Sequence, residues 1–302
     1  MNKANRDSDV WDVVVIAGAG VDTTVYVPEL PLPYAETYVV PPVIDRIGNT
    51  GSGVVLGCGA LGLRVALVDL LGEDPQGDLV RAHLESRGVE LVWRAVPEGT
   101  RRSVLLVGPD GRRTSLFDPR PAPGRRLPRE LYLPLVRTAR HVHVSIDDAA
   151  RDVYADISDI GVPVSTDLHD WDGEEEHHRD FAYNSDLVFL SAAKLPDPES
   201  VMRDILARGR ASVVVCTAGA EGCHVLVPGW ERARRFPAVP LPGPVVDSNG
   251  AGDAFVSGFL YGRLSSRPLE ECVRLGAIAG AHACTVRGTH ESPIDERTLL
   301  DR

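Results

Sequence analysis

Short apolar runs rich in Val, Ile and Leu alternate along this chain with longer segments of helical period, and this alternation constrains the fold most strongly. The runs are Asp12 to Gly18, Arg64 to Asp69, His141 to Ile146, Val162 to Leu168, Asp186 to Leu190 and Ser212 to Thr217. Strands that are apolar on both faces and separated by helices indicate a parallel sheet covered on both sides. The sequence therefore predicts an α/β fold.

The segments between these runs predict helices. They are Asp74 to Arg87, Asp148 to Ile160, Asp197 to Arg208, Gly250 to Leu264 and Leu269 to Cys284. Two intervals break the rhythm: Val21 to Ile47 is rich in proline, and Val92 to Phe117 reads as two strands joined at the turn sequence "GPDG". We expect parts of both intervals to form a small β-sheet that lies beside the large one as a lid.

Composition limits the classes of function. A chain of 302 residues with 43% hydrophobic residues can bury a sizeable core, and we expect residues 1–302 to form a single domain. The net charge of -11 argues against nucleic acid and anionic membranes as partners, because both attract basic surfaces. The opening "MNKANRDSDV" lacks the apolar core of a signal peptide, so we expect a cytoplasmic protein. The five cysteines include no C-x-x-C pair, which predicts free thiols.

The motif "VDSNGAGDAF", Val246 to Phe255, places almost no side chain at Gly250, Ala251 and Gly252, directly before Asp253 at the start of a predicted helix. Free N–H groups and the helix dipole make such a turn suitable for an anion. A carboxylate beside a bound anion is electrostatically unfavourable. Its presence is explained if it accepts a proton from a hydroxyl that attacks phosphorus. An N-capping aspartate is the alternative interpretation, and the local sequence leaves both open.

The wider motif resembles the C-terminal signature of the ribokinase-like, PfkB-type carbohydrate kinases, D-T-x-G-A-G-D-[AST]-F, with Ser248 where threonine is common. The similarity extends to a strand ending in Asp22, the glycine-rich helix entry Gly48 to Gly53, the segment Leu61 to Gly77 and the loop Cys216 to Cys223. The resemblance implies a three-layer α/β/α core with a β lid, ATP as phosphoryl donor, Mg²⁺, and a hydroxyl of a small sugar or nucleoside as acceptor. A monovalent cation such as K⁺ and a homodimer through the lid are further expectations of the same resemblance.

The resemblance also implies roles for residues. Asp253 is the expected base, and the backbone from Gly250 to Asp253, through Ala251 and Gly252, is the expected anion hole. The expected acceptor ligands are Asp22, Gly48, Asn49, Gly53 and Asp253. ATP is expected between the loop Cys216 to Cys223 and the helices after Asp253, with Lys194, Thr217, Gly219, Gly222, Asp247 and Gly252 as its contacts and Ala277 to Gly288 beside the adenine.

Two departures from the family pattern affect these roles. The usual G-G-x-x-x-N reads "GNTGSG" here, so the acceptor contacts differ and Asn49 is the candidate for the missing amide. The N-x-x-E motif, which organises magnesium in the family, is replaced by Ser191 and Lys194. Lys194 removes a carboxylate, although its ammonium group suits a phosphate.

The first glycine cluster, "AGAGVD", has a different predicted function. A dinucleotide fingerprint opens a helix after its glycines, whereas this one continues into β-branched residues and prolines. Gly18 and Gly20 are therefore expected to make a tight strand end that turns Asp22 toward the acceptor. A turn-closing aspartate is the alternative for Asp22.

Several other polar residues are expected to have structural roles. His141 and His143 are predicted to satisfy core hydrogen bonds rather than to bind a metal. His177 and His178 are assigned to a solvated helix, Asp172 to Asp180. Arg101, Arg102, Arg112 and Arg113 flank the lid hairpin and are expected to be edge-strand charges, with a substrate contact as the alternative. His169 and Trp171 are candidates for the wall of the sugar pocket, but packing is the expected role of both.

Two functional classes remain at this point. One is an active ATP-dependent kinase of a sugar such as ribose, fructose or another ketose, with a nucleoside kinase as the alternative acceptor class. The other is a kinase-fold protein that binds such a ligand without turnover. The intact "GAGD" favours the kinase, because a binding protein gains nothing from a base beside the anion hole, whereas Ser191 and Lys194 favour the binding protein.

Overall fold

The structure, a computed structural model, describes residues 10–121 and 123–302. Residues 1–9 lie outside the described part, and they include most of the opening segment in which the sequence shows no apolar core of a signal peptide. The strands are β1 Val13–Ile16, β2 Gly20–Tyr26, β3 Ile44–Gly48, β4 Val65–Leu71, β5 Glu90–Ala95, β6 Arg102–Val107, β7 Arg113–Asp118, β8 Val142–Val144, β9 Val164–Asp167, β10 Leu187–Ser191, β11 Val213–Thr217, β12 Cys223–Leu226 and β13 Arg234–Phe236. The helices are α1 Thr50–Ala60, α2 Pro75–Ser86, α3 Arg129–Val136, α4 Val153–Ile157, α5 Glu176–Asn184, α6 Pro198–Arg208, α7 Ala251–Leu264, α8 Leu269–Ala283 and α9 Glu296–Leu300.

The large sheet has the strand order β13-β12-β11-β10-β9-β8-β1-β4-β5. Its strands pair in parallel from β11 to β5, and β12 and β13 continue it antiparallel. All six predicted runs contribute strands to this sheet, which confirms the predicted α/β fold. Parallel strands need crossover connections, and the helices supply them on both faces.

Two apolar cores lie on opposite faces of the large sheet. On β1, Val14 and Ile16 pack with residues of α3 to α6, whereas Val13 and Val15 pack with residues of α1, α2, α7 and α8. All four of these valine and isoleucine side chains are fully buried. Alternate residues of a strand point to opposite faces, so an uninterrupted apolar run is what a doubly covered strand requires.

Four of the five predicted helices are confirmed as α2, α6, α7 and α8. The carboxylates of Asp74 and Asp197 accept hydrogen bonds from the amides of Gly77 and Ser200, which caps α2 and α6. The prediction for Asp148 to Ile160 is only partly right. Only α4 is α-helical there, and a 3₁₀ turn lies on each side of it.

The smaller sheet has the order β3-β2-β6-β7, and both irregular intervals contribute strands to it. Strand β2 pairs in parallel with β6 and antiparallel with β3, and β6 and β7 form the hairpin expected at "GPDG". The beginning of the second interval differs, because β5 pairs with β4 as the edge of the large sheet. The single-domain organisation and the lid function stay predictions.

The cysteines are free, and four of the five are buried. His141 and His143 each share a hydrogen bond with the Ser165 hydroxyl, at 2.8 and 2.9 Å, as expected for core histidines. Among the described residues, no cluster of His, Cys, Asp and Glu side chains suits a bound metal ion. No described helix is both long and apolar enough to span a membrane.

Candidate active site

A cleft of about 1240 Å³ lies at the carboxyl ends of the parallel strands, between the N-terminus of α7 and the smaller sheet. Ligands of open α/β sheets bind at this edge, because the helix N-termini that follow the strands converge there. The cleft wall includes predicted residues from distant parts of the chain: Asp22, Asn49, Thr217, Gly250, Gly252 and Asp253. The fold thus brings together the two glycine clusters that the sequence separates.

The start of α7 combines one close-packed glycine with one open glycine. Gly250 is the N-cap residue with φ +73°, and a Cβ there would overlap the Thr289 carbonyl oxygen. A Cβ on Gly252 would find nothing closer than an Asp167 carboxylate oxygen at 3.8 Å. Ala251 is the first residue of the helix between them. The first turn of a helix has N–H groups without helical partners, so this open surface can receive an anion.

Asp253 is the third residue of α7, and its side chain is buried at the cleft wall. The N-cap position belongs to Gly250, so the N-capping interpretation of Asp253 is wrong. Burial, with a further contribution from the Asp167 carboxylate, raises the pKa of Asp253 well above its usual range. A buried carboxylate with a raised pKa binds a proton strongly, which is the property that a general base needs.

His290 is a neighbour of Asp253 that sequence reasoning missed. Its Nε2 atom lies 3.6 Å from Asp253 Oδ2, and both side chains are buried. Burial lowers the pKa of His290 to about 3, so the imidazole is neutral. A Cβ on Gly53 would stand 2.5 Å from His290 Cε1 and 2.6 Å from Asp253 Cβ. Gly53 therefore allows the close approach of α1 to these two side chains.

Asp22 faces the cleft as the third residue of β2, so the prediction of a strand that ends at Asp22 is wrong. Burial raises its pKa to about 6, although the Ser103 side chain and the Asn49 backbone donate hydrogen bonds to the carboxylate. A Cβ on Gly48 would overlap this carboxylate, so the glycine is required by close packing. Asp22 also contributes to the raised pKa of Asp253, which indicates that the two carboxylates share one electrostatic environment.

Asn49 is the N-cap residue of α1, with φ 67° in the left-handed region. Its side-chain nitrogen is buried and, among the described residues, lacks a hydrogen-bond partner. Asn49 lines the cleft. An unpaired buried amide is unfavourable unless a ligand completes it, so Asn49 is suited to contact an acceptor hydroxyl.

The predicted nucleotide contacts divide into two groups. Thr217, at the end of β11, lines the cleft, and Gly219 has φ +55° with open space around its Cβ position. Gly222 is packed against the backbone of Phe236 and Ala238, and Asp247 accepts a hydrogen bond of 2.9 Å from the Asn249 amide. Packing and loop geometry thus already account for Gly222 and Asp247.

Lys194 follows Ser191 and Ala193, which both line the cleft. Its ammonium group forms an ion pair of 2.8 Å with Asp170, and the side chain is 60% exposed. The hydrogen bond to Asp170 raises the pKa of Lys194, so the group stays charged. A phosphate contact would require the lysine to leave this exposed pair, which costs little.

Arg101 is not an edge charge as predicted. Its guanidinium is buried, forms ion pairs of 2.7 Å with Asp69 and with Asp147, and donates to the Ala19 carbonyl at 2.8 Å. A buried arginine requires such partners, since an unpaired buried charge is strongly destabilising. The side chain links the smaller sheet to strand β4 and to the loop after β8.

The prediction for His177 and His178 is also wrong. Both line the cleft, and the His178 side chain is only 12% exposed. His169 lines the cleft, which was the alternative to packing, whereas Trp171 is buried in the core as expected. The sequence pattern of α5 did not indicate that His177 and His178 face the cleft, because the acidic residues beside them are exposed.

Comparison with known proteins places this geometry in a family. Residues 181–297, which include the α7 motif, match the model of the pfkB family carbohydrate kinases. The chain is 52% identical over 294 residues to acarbose 7(IV)-phosphotransferase from an Actinoplanes species, and the match covers 97% of this chain and 98% of the relative. This chain belongs to the pfkB family of carbohydrate kinases.

Solved structures agree with this assignment. A microbiome-derived acarbose kinase is 44% identical, with a TM-score of 0.92 over 97% of this chain and 98% of that one. An Arabidopsis thaliana ribokinase, solved with ribose and ATP, has a TM-score of 0.81 at 21% identity and 97% and 98% coverage, which shows the shared fold. The predicted ribokinase-like fold and the prediction of a carbohydrate kinase are confirmed, and family membership makes ATP the co-substrate.

Proposed function

We propose that this kinase phosphorylates a carbohydrate larger than a monosaccharide, with acarbose or a closely related pseudo-oligosaccharide as acceptor. The 52% identity to acarbose 7(IV)-phosphotransferase over almost the whole chain carries this proposal. The cleft of about 1240 Å³ supports it, because a typical small-molecule pocket has roughly 300–1,000 Å³. A single sugar ring beside ATP would leave much of this space open.

The charges of the cleft favour an acceptor without phosphate groups. Six aspartates line it: Asp22, Asp147, Asp148, Asp167, Asp170 and Asp253. Arg113 also lines it and lowers the pKa of Asp22 and of Asp253 against the larger effect of burial. Carboxylates accept hydrogen bonds from sugar hydroxyls and repel an anionic sugar phosphate.

The proposed reaction begins with the acceptor held at Asp22 and Asn49. Asp253 removes the proton of the attacking hydroxyl as the new O–P bond forms and the bond between the γ-phosphorus and ADP breaks. The backbone of Gly250, Ala251, Gly252 and Asp253 stabilises the negative charge of the transferred group. Gly48 and Gly53 let the acceptor-side backbone and α1 pack closely enough to place these groups together.

The proposed nucleotide site lies at the other end of the cleft, at Thr217 and Gly219, with Gly252 at the phosphates and Lys194 as a mobile cationic contact. Gly222 and Asp247 act by shaping the two loops. Mg²⁺ bound to ATP brings phosphate and water ligands of its own, so a single carboxylate is sufficient on the protein side. Asp167, at the end of β9 beside Gly252, is that carboxylate in our proposal, and the metal would neutralise phosphate charge. A cytoplasmic location, K⁺ dependence and a dimer through the lid stay predictions.

An ADP-release assay tests this function with acarbose, ribose, fructose, cytidine and ribose 1-phosphate at equal concentrations. We expect kcat/KM for acarbose to exceed each other value by at least about 100-fold, since sites built for several hydroxyls discriminate strongly. The product should gain the mass of one phosphate group. Asp253→Asn protein, prepared identically, controls for contaminating kinases. Faster turnover of ribose, fructose or cytidine than of acarbose would contradict the proposal.

A further inference from the structure

Strand β7 presents an aromatic side chain to the cleft at a distance from the reacting groups. Arg113, Ser115 and Phe117 alternate along β7 and all line the cleft. Strand geometry therefore points Leu116, between them, to the outer face of the smaller sheet. Phe117 is 54% exposed and Leu116 57% exposed. Single exposed apolar residues are common, so exposure alone does not identify a site.

The register of the smaller sheet gives Phe117 its significance. Asp22 on β2 pairs with Ser103 on β6, and Ser103 pairs with Phe117 on β7. The three residues form one row across three strands, on the face that lines the cleft. Neighbouring strands lie about 5 Å apart, so Phe117 stands about 10 Å from Asp22 along this row. That distance exceeds one sugar ring and is within the reach of a short oligosaccharide.

The surroundings of Phe117 have the chemistry that sugar rings require. Pro119 and Pro121 follow it on the cleft wall and extend the rigid apolar surface. Asp147 and Asp148 line the same cleft. The Asp147 carboxylate is held by Arg101 at 2.7 Å, while its side chain remains 17% exposed. An aromatic face covers the apolar face of a sugar ring, and fixed carboxylates accept its hydroxyl hydrogens.

We propose that Phe117, Pro119 and Pro121 form a subsite for sugar rings beyond the ring that is phosphorylated. This inference rests on the proposed function and specifies how the kinase selects a long acceptor. Phe117 is the specificity-determining residue, because it contacts an acceptor ring that takes no part in the phosphoryl transfer. A one-ring acceptor fills the site at Asp22 and Asp253 without reaching Phe117.

The test compares Phe117→Ala with Leu116→Ala, a matched change of a similarly exposed apolar residue on the other face. Each variant is assayed with acarbose, which has four rings, and with its one-ring fragment, the terminal cyclitol amine. We expect Phe117→Ala to lower kcat/KM for acarbose about five- to tenfold by raising KM. This is the size of effect that the loss of one aromatic contact produces. The value for the fragment should change less than twofold, and Leu116→Ala should leave both acceptors unchanged.

A third variant, Phe117→Tyr, keeps the ring and should restore the preference for acarbose. Equal losses for acarbose and the fragment in Phe117→Ala would overturn the subsite, since they would indicate a general disturbance of the smaller sheet. An unchanged kcat/KM for acarbose would overturn it as well. Failure of the wild-type enzyme to phosphorylate acarbose at all would instead refute the proposed function, and the subsite with it.

Discussion

Two segments of the cleft pair glycines with a buried aspartate, and they use their glycines differently. In Gly18 to Asp22, a Cβ on Gly18 would stand 2.5 Å from Ser145 Oγ and 2.8 Å from the Gly51 nitrogen. In Gly250 to Asp253, the Cβ position of Gly252 faces open cleft, with its nearest atom 3.8 Å away. The first segment uses glycine to let protein approach protein, and the second leaves space for a ligand.

The two aspartates differ in a parallel way. Asp22 accepts hydrogen bonds from the Ser103 side chain and the Asn49 backbone, which offset part of the effect of burial on its pKa. Asp253 has the neutral His290 imidazole at 3.6 Å, and burial and Asp167 both raise its pKa. A carboxylate with protein donors is fixed for binding, whereas one without them is available to take a proton.

The first predicted effect separates the glycines of the two segments. Gly252→Ala should lower kcat about 100-fold, because the methyl group occupies the space of the transferred anion, as for the loss of an anion-hole contact. Its free energy of unfolding should change by no more than about 0.5 kcal/mol, since the site has room and alanine favours helix. Steady-state kinetics and urea unfolding measure the two quantities.

Gly18→Ala is the matched control for that variant. We expect it to lower the free energy of unfolding by about 1–3 kcal/mol, because the residue has φ +90° and the new methyl group would meet Ser145 and Gly51. If Gly252→Ala were the less stable of the two and kept full activity, the assignment of the two segments would have to be reversed.

The next effect concerns the pH dependence of stability at Asp22. The pKa rises from 3.8 in the unfolded chain to about 6 in the folded protein, so the protonated form stabilises the fold below pH 3.8 and this contribution is lost as the pH rises through 6. A difference of about two pH units corresponds to about 3 kcal/mol. Wild type therefore loses most of this stability as the pH rises from 4 to 7.5, whereas Asp22→Asn does not. The free energy of unfolding of Asp22→Asn relative to that of wild type should increase by about that amount over this pH range.

Thermal unfolding of both proteins at the two pH values checks this prediction. Asp45→Asn, which removes an exposed carboxylate from the neighbouring strand β3, is the control and should show no such gain. An Asp22→Asn melting temperature that differs from wild type equally at pH 4 and pH 7.5 would refute the burial of a costly carboxylate at this position.

Much of this comparison was predictable from the sequence. The apolar runs located six of the nine strands of the large sheet, and "VDSNGAGDAF" located the start of α7 with Asp253 in its first turn. Local patterns carry this information, because strand period and helix entry depend on neighbouring residues. Asp22 required more, since only the resemblance to a family distinguished it from a turn-closing aspartate.

The missed residues depend on contacts between distant segments. Arg101 is buried because Asp69 and Asp147 pair with it, and these partners come from strand β4 and the loop after β8. His290 reaches Asp253 from a loop after α8. No local pattern reports such pairing, so Arg101 resembled the exposed arginines around it. Phe117 was within a predicted strand, but its position opposite Asp22 follows only from the register.

The smallest predicted effect lies at the nucleotide end. Lys194→Met should raise KM for ATP about two- to fivefold, the modest contribution of an exposed charge that must leave Asp170 to contact a phosphate. The melting temperature should not change. Asp170→Asn, which frees the lysine, should leave KM for ATP equal or lower. A KM for ATP that is unchanged in Lys194→Met would remove this residue from the nucleotide site.

In the proposed reaction, Asp253 takes the proton of the acceptor hydroxyl while Asp22 binds the acceptor. Rapid-quench measurement of a single turnover, with ATP and acarbose both saturating, tests it by comparing Asp253→Asn with Asp22→Asn. We expect Asp253→Asn to slow the transfer about 100- to 10,000-fold, the usual contribution of a general base, and Asp22→Asn to stay within about tenfold of wild type. Transfer by Asp253→Asn at a rate near that of wild type, at matched thermal stability, would show that Asp253 is not the base.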